Sequence, residues 1–221
     1  MAKPSTPEPK FFLVDRMYAR SLTYYSDTWF AAAGEARVAG EKSTDYLESA
    51  AAAERIARDL PRVKLVFILR EPVDRAYSNY LWSRMNGLET EDFATALDLE
   101  ERREGELPER LKFARPYSYF SRGLYADLLT PYFGLFPREQ ILILRFDDLV
   151  QNPMGIADRL HDFLGVERRP RDVVGLGEIN PSEKDGAELD EAIRRQLGER
   201  YADANRRLVT MLGPEFGHWI G

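Results

Sequence analysis

The spacing of apolar residues predicts helices along much of the chain. Residues 15–30 carry apolar side chains at three- and four-residue intervals, which predicts an amphipathic helix. The same spacing recurs over 46–60, 117–136 and 148–164, the last ended by Gly165. A long C-terminal helix is predicted by a further apolar stripe, whose members are Leu189, Ile193, Leu197, Tyr201, Leu208 and Leu212.

Two short runs are apolar without interruption and predict strands. They are KLVFIL at 64–69 and QILILRF at 140–146. A continuous apolar run bounded by charge is typical of a strand buried on both faces of a parallel sheet. Directly after the first run, Pro72 at a first helical position and Asp74 in the first turn predict a helix start. Alternation of helices and strands predicts the α/β class with a parallel sheet.

The amino-acid composition excludes several kinds of functional site. The chain has 221 residues with a formal net charge of −6, no cysteine and two histidines. Disulfides, thiolate zinc sites and cysteine nucleophiles are excluded. His161 and His218 each stand alone beside apolar neighbours, so we expect both to be structural. Because the net charge is negative, an anionic ligand has to be held by a local cluster of cations, and nucleic acid is not expected as a partner.

Length and hydropathy set the expected organisation. We expect a single domain over 1–221, with no membrane span because no apolar run approaches 20 residues. The beginning of the chain lacks the apolar stretch of a signal peptide, which predicts a cytoplasmic protein. The charge-dense region 89–110 is interpreted as a solvated face, and 166–187 as a long loop that is functional or disordered.

Arg70 and Ser78 are candidate anion-binding residues. An arginine at the carboxyl end of a buried strand, followed by a helix start, lies where open α/β sheets bind anionic ligands. The guanidinium of Arg70 matches phosphate oxygens, and Ser78 follows two turns into the helix. The alternatives are a surface ion pair for Arg70 and a serine bonded back to its own helix for Ser78.

The segment KLVFILREPVDRAYSNY resembles the 3′-phosphate-binding segment of sulfotransferases that use 3′-phosphoadenosine 5′-phosphosulfate (PAPS). Further segments resemble the heparan sulfate glucosaminyl and carbohydrate sulfotransferase branch in the same order. They are PEPKFF, GEKSTDYL, the long stretch SRGLYADLLTPYFGLFPREQILILRFDDLVQNP, HDFLGVE and LGPEFGHW. The resemblance implies a three-layer α/β/α sulfotransferase fold of the P-loop NTPase type, with a central parallel sheet.

The resemblance also implies roles for individual residues. Arg70 and Ser78 match the arginine and serine that bind the 3′-phosphate, and Lys42 matches the lysine that approaches the sulfuryl group. Glu8 falls on the general base, while Lys10 stands where that branch often has histidine. Lys184 and Gly186 lie in the loop that in relatives folds over the 3′-phosphate.

General chemistry is consistent with these roles. Sulfuryl transfer, like phosphoryl transfer, needs positioning and charge stabilisation more than covalent chemistry from the protein. A lysine such as Lys42 can stabilise the leaving oxygen, and a carboxylate such as Glu8 can accept the acceptor's proton. From the residues alone, the favoured interpretation of Glu8 is an exposed acid in a flexible proline-rich tail.

One family motif is absent from the sequence. Relatives begin with a strand and a loop of the type K-x-G-T-[ST], whose amides and lysine hold the 5′-phosphosulfate. No such motif occurs here, and MAKPSTPEPKFF corresponds to the segment that follows that loop. We therefore expect a domain that is incomplete at its N-terminus and lacks its first strand. A truncated enzyme is preferred to a divergent remnant, and we expect the 221-residue chain alone to transfer little or no sulfuryl group.

The function expected from the sequence is PAPS-dependent sulfuryl transfer to a hydroxyl or amine of a carbohydrate or small natural product. Neither a metal nor a redox cofactor is implied. The alternative is a module of the same fold that binds 3′-phosphoadenosine 5′-phosphate (PAP), another nucleotide or a partner without catalysis. A nucleotide kinase is disfavoured because GEARVAGEKST breaks the Walker A spacing, with Glu41 between Gly40 and Lys42. The net charge of −6 disfavours a long polyanionic acceptor, and the oligomeric state is left open.

Overall fold

The structure, a computed structural model, describes residues 8–168 and 188–220. The described chain forms two compact units that alternate along the sequence. The first comprises 8–68 and 131–168, and the second comprises 69–130 and 188–220. The expectation of one domain stays a prediction. No helix of the described ranges is long and apolar enough to cross a membrane.

Helices make up most of the described chain, and we number them in order. They are α1 (Asp15–Tyr18), α2 (Leu22–Trp29), α3 (Ala50–Asp59), α4 (Pro72–Met85), α5 (Phe93–Gly105), α6 (Tyr125–Leu135), α7 (Phe146–Gln151), α8 (Pro153–Leu164) and α9 (Glu191–Leu212). Short 3₁₀ turns connect several of them, among them Thr44–Glu48 and Pro214–Trp219. The predicted C-terminal helix is confirmed as α9.

Two predicted helices are each divided by a capping residue. The single helix expected over 15–30 is α1 and α2, because the Ser21 side chain accepts from Tyr24 N and begins a new helix. The helix expected over 148–164 is α7 and α8, separated by Asn152, whose side chain accepts from Gly155 N, with Pro153 at the next position. Gly165 ends α8 in the left-handed conformation (φ 72°), as predicted.

The strands β1 (Leu65–Leu69) and β2 (Ile141–Arg145) pair in a parallel sheet and confirm the α/β class. In β2, Ile141, Ile143 and Leu144 are buried, as expected. In β1 the expectation of burial on both faces is wrong, because Val66 and Ile68 are 37% and 49% exposed. Side chains alternate across a strand, and only the Leu65–Phe67–Leu69 face is covered, with the Phe67 ring 4.9 Å from that of Tyr132.

Aromatic rings dominate the core of the first unit. Phe11 and Phe12 are each 1% exposed and lie edge to face, with ring centroids 5.0 Å apart. The ring of Tyr25 stacks on Phe11 at 4.7 Å, and Tyr18 lies against both phenylalanines. Edge-to-face and offset contacts of this kind are the favoured geometries for aromatic pairs. The short segment before α1 is therefore anchored by two buried side chains.

The second unit packs α4, α5 and α9 around one apolar cluster. Its buried members are Val73, Ala76, Tyr80, Phe93, Ala96, Leu97, Tyr119, Leu189, Leu197 and Tyr201. At its centre Tyr201 is fully buried, and its hydroxyl donates to the Phe120 carbonyl at 2.8 Å. The cluster fixes α4, the helix that carries Ser78.

The region 89–110 is not simply a solvated face, contrary to expectation. Glu89 and Glu100 are buried, at 3% and 6% exposure. Glu89 accepts from Arg103 at 2.7 Å and from the Tyr119 hydroxyl at 2.8 Å, while Glu100 accepts from two backbone amides at Phe120 and Ser121. These bonds offset the cost of burying the two carboxylates, which the sequence could not show because the partners are distant along the chain.

Gly123 lies where a side chain has no room. A Cβ there would lie 2.6–2.8 Å from the hydroxyl and ring of Tyr201, which is fully buried and hydrogen-bonded. We expect Gly123→Ala to lower the free energy of unfolding by about 1–3 kcal/mol through overpacking. The control Gly198→Ala, in α9 with open space around its Cβ, should raise it by about 0.5–1 kcal/mol. Urea unfolding measures both, and equal effects of the two changes would contradict the packing argument.

Candidate functional site

The first unit brings Glu8 and Lys42 together. The Lys42 ammonium lies 3.0 Å from Glu8 Oε1, although the two residues are far apart in sequence. The Glu8 side chain is only 17% exposed, so it is not an acid in a solvated tail. The Lys42 side chain is 80% exposed and presents its charge to solvent. A largely buried carboxylate therefore sits beside an exposed cation.

Thr44 holds the Glu8 carboxylate from a second side. Its hydroxyl donates to Glu8 Oε1 at 2.6 Å and its backbone N–H approaches Oε2 at 3.4 Å. Burial by itself raises the pKa of Glu8, but the Thr44 hydroxyl, the Lys42 ammonium and the Thr44 amide outweigh it and hold that pKa below its ordinary value. Glu8 is thus ionised at neutral pH.

A second, more buried carboxylate supports this segment. Glu41 accepts from the Ser43 hydroxyl at 2.9 Å and from the Tyr25 hydroxyl at 3.3 Å. The same Ser43 oxygen accepts from the backbone N–H of Lys10 at 2.9 Å. Burial raises the pKa of Glu41, with the negative charge of Glu8 adding to the rise and the hydroxyl donors opposing it. The network ties the segment before α1 to the segment before α3.

Sequence reasoning overlooked several members of this cluster. Thr44, Asp45 and Ser43 belong to the run EKSTD, five consecutive polar residues between Gly40 and Tyr46. That run was a signal of a polar site, but nothing in it indicated that Thr44 contacts Glu8, which is 36 residues away.

In the second unit, Arg70 and Ser78 flank the start of α4. Arg70 lies between β1 and Glu71, the N-cap of the helix, and Ser78 is half-buried about two turns further on. The Arg70 carbonyl accepts from the Tyr125 hydroxyl at 2.9 Å, and burial raises the pKa of Tyr125 to about 12, so this donor keeps its proton. The backbone at the end of β1 is thereby fixed.

The N-terminal amides of α4 are already satisfied. The Glu71 carboxylate accepts from Val73 N at 3.0 Å and from Asp74 N at 2.7 Å. Because those amides have a partner, an anion bound at this point has to be held mainly by side chains. Arg70 and Ser78 provide a guanidinium and a hydroxyl, which suit phosphate oxygens. Lys184 and Gly186 lie outside the described residues.

Glu8 and Glu41 should give the stability of the fold opposite dependences on pH. A carboxyl whose pKa is lowered by folding, as in Glu8, stabilises the folded state at pH values above its ordinary pKa of 4.5. This stabilisation is lost as the pH falls through the pKa of the folded state. A carboxyl with a raised pKa, as in Glu41, lowers the stability as the pH rises from 4.5 through the folded pKa.

We therefore expect Glu8→Gln to be more destabilising at about pH 7 than at about pH 4, and Glu41→Gln to be less destabilising at about pH 7. Urea unfolding of the two variants and the wild type at both pH values measures the difference. Each variant is the control for the other. The same pH trend in both variants would contradict the opposite pKa shifts of Glu8 and Glu41.

Comparison with known proteins places these residues in a family. The sulfotransferase domain model matches residues 37–176, more than half of the chain. Among curated proteins, the chain is 29% identical to mouse heparan sulfate glucosamine 3-O-sulfotransferase 3A1 over 97% of its own length and 57% of that protein's. It is 30% identical to human heparan sulfate glucosamine 3-O-sulfotransferase 6, over 95% of the chain and 64% of that protein. The chain thus spans less than two thirds of the length of these relatives.

A solved structure has the same fold. A sulfotransferase from Alicyclobacillus acidocaldarius superposes with a TM-score of 0.77 and 26% identity, covering 95% of this chain and 84% of that one. This similarity confirms the sulfotransferase fold predicted from the sequence. With the family model spanning the Lys42, Arg70 and Ser78 segments, the chain belongs to the sulfotransferase domain family.

Proposed function

We propose that this protein transfers a sulfuryl group from PAPS to a hydroxyl or amine of a carbohydrate or other small natural product. The observation that carries the proposal is the contact of Lys42 with Glu8 in a chain of this family. A carboxylate that can accept a proton and an ammonium that can meet developing negative charge are the two groups the reaction needs from the protein.

The residues of the chain suit a donor of this kind. Arg70 and Ser78 are proposed to hold its 3′-phosphate, since guanidinium and hydroxyl groups both donate to phosphate oxygens. Lys42 is 80% exposed and so has an ammonium that solvent and ligands can reach. When bound, the donor supplies the sulfuryl group on an activated phosphate.

Glu8 and Lys42 then have complementary roles in the transfer. Glu8 takes the proton from the acceptor's hydroxyl or amine as that atom bonds to sulfur. Lys42 stabilises the phosphate oxygen that gains charge as its bond to sulfur breaks. The products are the sulfated acceptor and PAP, with the proton on Glu8. Thr44 holds Glu8 Oε1 at 2.6 Å and so keeps the base oriented.

The acceptor is proposed to be a glycan or a small molecule. The named substrate of the similar curated proteins is heparan sulfate, which is a long polyanion. This chain has a net charge of −6, which disfavours prolonged contact with such a polymer. A neutral or weakly charged saccharide is therefore the first acceptor to test, with a heparan sulfate oligosaccharide as the comparison.

Glu8→Gln should separate catalysis from binding. We expect turnover to fall by about 10²–10⁴-fold, because the amide cannot accept the proton, while PAP binding is retained. Transfer of radiolabelled sulfuryl groups from PAPS measures turnover at high protein concentration, and calorimetry measures PAP binding. PAP binding in the wild type, with sulfuryl transfer that Glu8→Gln leaves unchanged, would instead identify a binding module.

Arg70→Ala should weaken PAP binding by about 10–100-fold, the value of a charge-assisted hydrogen bond to phosphate. Ser78→Ala should have a smaller effect in the same direction. The matched control is Arg62→Ala, an exposed arginine just before β1. If Arg70→Ala binds PAP as tightly as Arg62→Ala does, the phosphate role of Arg70 is wrong.

A further inference from the structure

Lys10 lies between two carboxylates, Asp45 and Glu8, at unequal distances. Its ammonium is 2.5 Å from Asp45 Oδ2, whereas Glu8 Oε2 is 3.9 Å away, beyond hydrogen-bond distance. Asp45 is buried, with 8% of the residue exposed. The positive charge of Lys10 is therefore directed primarily to Asp45, even though it stands next to Glu8.

The backbone of Lys10 is held in an uncommon conformation. Its φ of 49° is in the left-handed region, which residues with a Cβ seldom adopt. Hydrogen bonds on both sides fix it: its N–H donates to Ser43 Oγ at 2.9 Å, and its carbonyl accepts from Leu13 N and Val14 N at 3.2 and 3.1 Å. Because backbone conformations of this kind persist only where surrounding contacts determine them, the position of Lys10 is a constrained feature of the site.

The two oxygens of Glu8 are occupied unequally. Oε1 accepts from the Thr44 hydroxyl and contacts Lys42, while Oε2 has the 3.4 Å approach of the Thr44 amide. A cation moving from 3.9 Å to hydrogen-bond distance of Oε2 would give each oxygen its own ammonium. A carboxylate bonded in that way is a weaker base, because both partners favour its charged form.

We propose that Asp45 is a positioning residue that keeps the Lys10 ammonium off Glu8, so that Glu8 Oε2 remains able to accept the acceptor's proton. This inference rests on the proposed function of Glu8 as the base. Asp45 acts through Lys10 and does not itself contact the reacting atoms. This role accounts for the buried carboxylate of Asp45 in contact with Lys10, two residues after the proposed base.

Other charged groups around Glu8 do not substitute for Asp45. Lys42 contacts the opposite oxygen, Oε1. Glu41 repels Glu8, but its own oxygens accept from Ser43 and Tyr25, with Tyr46 as a further donor. Asp45 is thus the carboxylate in hydrogen-bond contact with Lys10, and its replacement changes the position of one cation.

The test is a double-mutant cycle read by the titration of Glu8. Carbon-13 NMR of the side-chain carboxyl, assigned with Glu8→Gln, gives the titration midpoint in the full chain. We expect Asp45→Asn to lower the Glu8 midpoint by about one pH unit, because Lys10 is released toward Oε2. In a Lys10→Met background, Asp45→Asn should lower the Glu8 midpoint by less than about a third of that amount. There the change removes only the direct repulsion between the Asp45 and Glu8 carboxylates.

Two further variants complete the design. Asp27→Asn removes an exposed carboxylate from α2 and should leave the Glu8 midpoint unchanged. Asp45→Ser is a second neutral variant, measured in case Asp45→Asn does not fold. Circular dichroism checks the folding of both, and one folded variant is enough for the test. An unchanged or raised Glu8 midpoint, or equal falls with and without Lys10, would overturn the proposal.

Activity gives a second readout. The acidic limb of the pH profile of kcat/KM should move down with the Glu8 midpoint in Asp45→Asn. A purely structural Asp45 would lower kcat at every pH and leave the limb in place. If Glu8→Gln leaves sulfuryl transfer unchanged, the proposed role of Glu8 as the base fails, but the NMR cycle still decides whether Asp45 controls Lys10.

Discussion

Burial of Phe11 and Phe12 is the constraint on which the candidate site depends. The segment that carries Glu8 and Lys10 precedes α1 and has no helix or strand of its own. What fixes it is two aromatic side chains, each 1% exposed, packed against Tyr18 and Tyr25. Full burial of a phenylalanine stabilises by about 1.5–3 kcal/mol, which offsets part of the entropy cost of ordering the segment; its hydrogen bonds to residues 43–46 add to this. Once the segment is anchored there, Glu8 and Lys10 can contact residues 42–45.

Local pairing reconciles an acidic chain with a proposed function that needs cations. The net charge is −6, yet around Glu8 two lysines face three carboxylates, and hydroxyls of Thr44, Ser43 and Tyr25 supply the remaining hydrogen bonds. For partly buried groups, charges within hydrogen-bond distance affect the pKa more than the net charge of the whole chain does, because salt and water screen distant charges. The pKa values of Glu8 and Glu41 are consequently set by their surroundings, which lower the pKa of Glu8 and raise that of Glu41.

The sequence predicted the α/β class, both strands, the start of α4 and the long C-terminal helix, because these follow from periodicity and local capping. It also named Glu8 and Lys42, which the structure places in contact. It could not predict that Val66 and Ile68 are exposed, because burial of a strand face depends on what packs against it. The pairing of Glu89 with Arg103 and the contact of Lys10 with Asp45 could not be predicted either, because the partners are 14 and 35 residues apart in sequence.

The Glu71 cap on α4 has a consequence for how easily anion affinity can change. Where backbone amides hold an anion, only substitution by proline removes a donor, because every other residue has a backbone N–H. Here the Glu71 carboxylate occupies the amides of Val73 and Asp74. An anion that binds at this strand end would therefore be held by side chains, each encoded by a single codon. A single substitution here would therefore strengthen, weaken or abolish anion binding while the backbone remains the same.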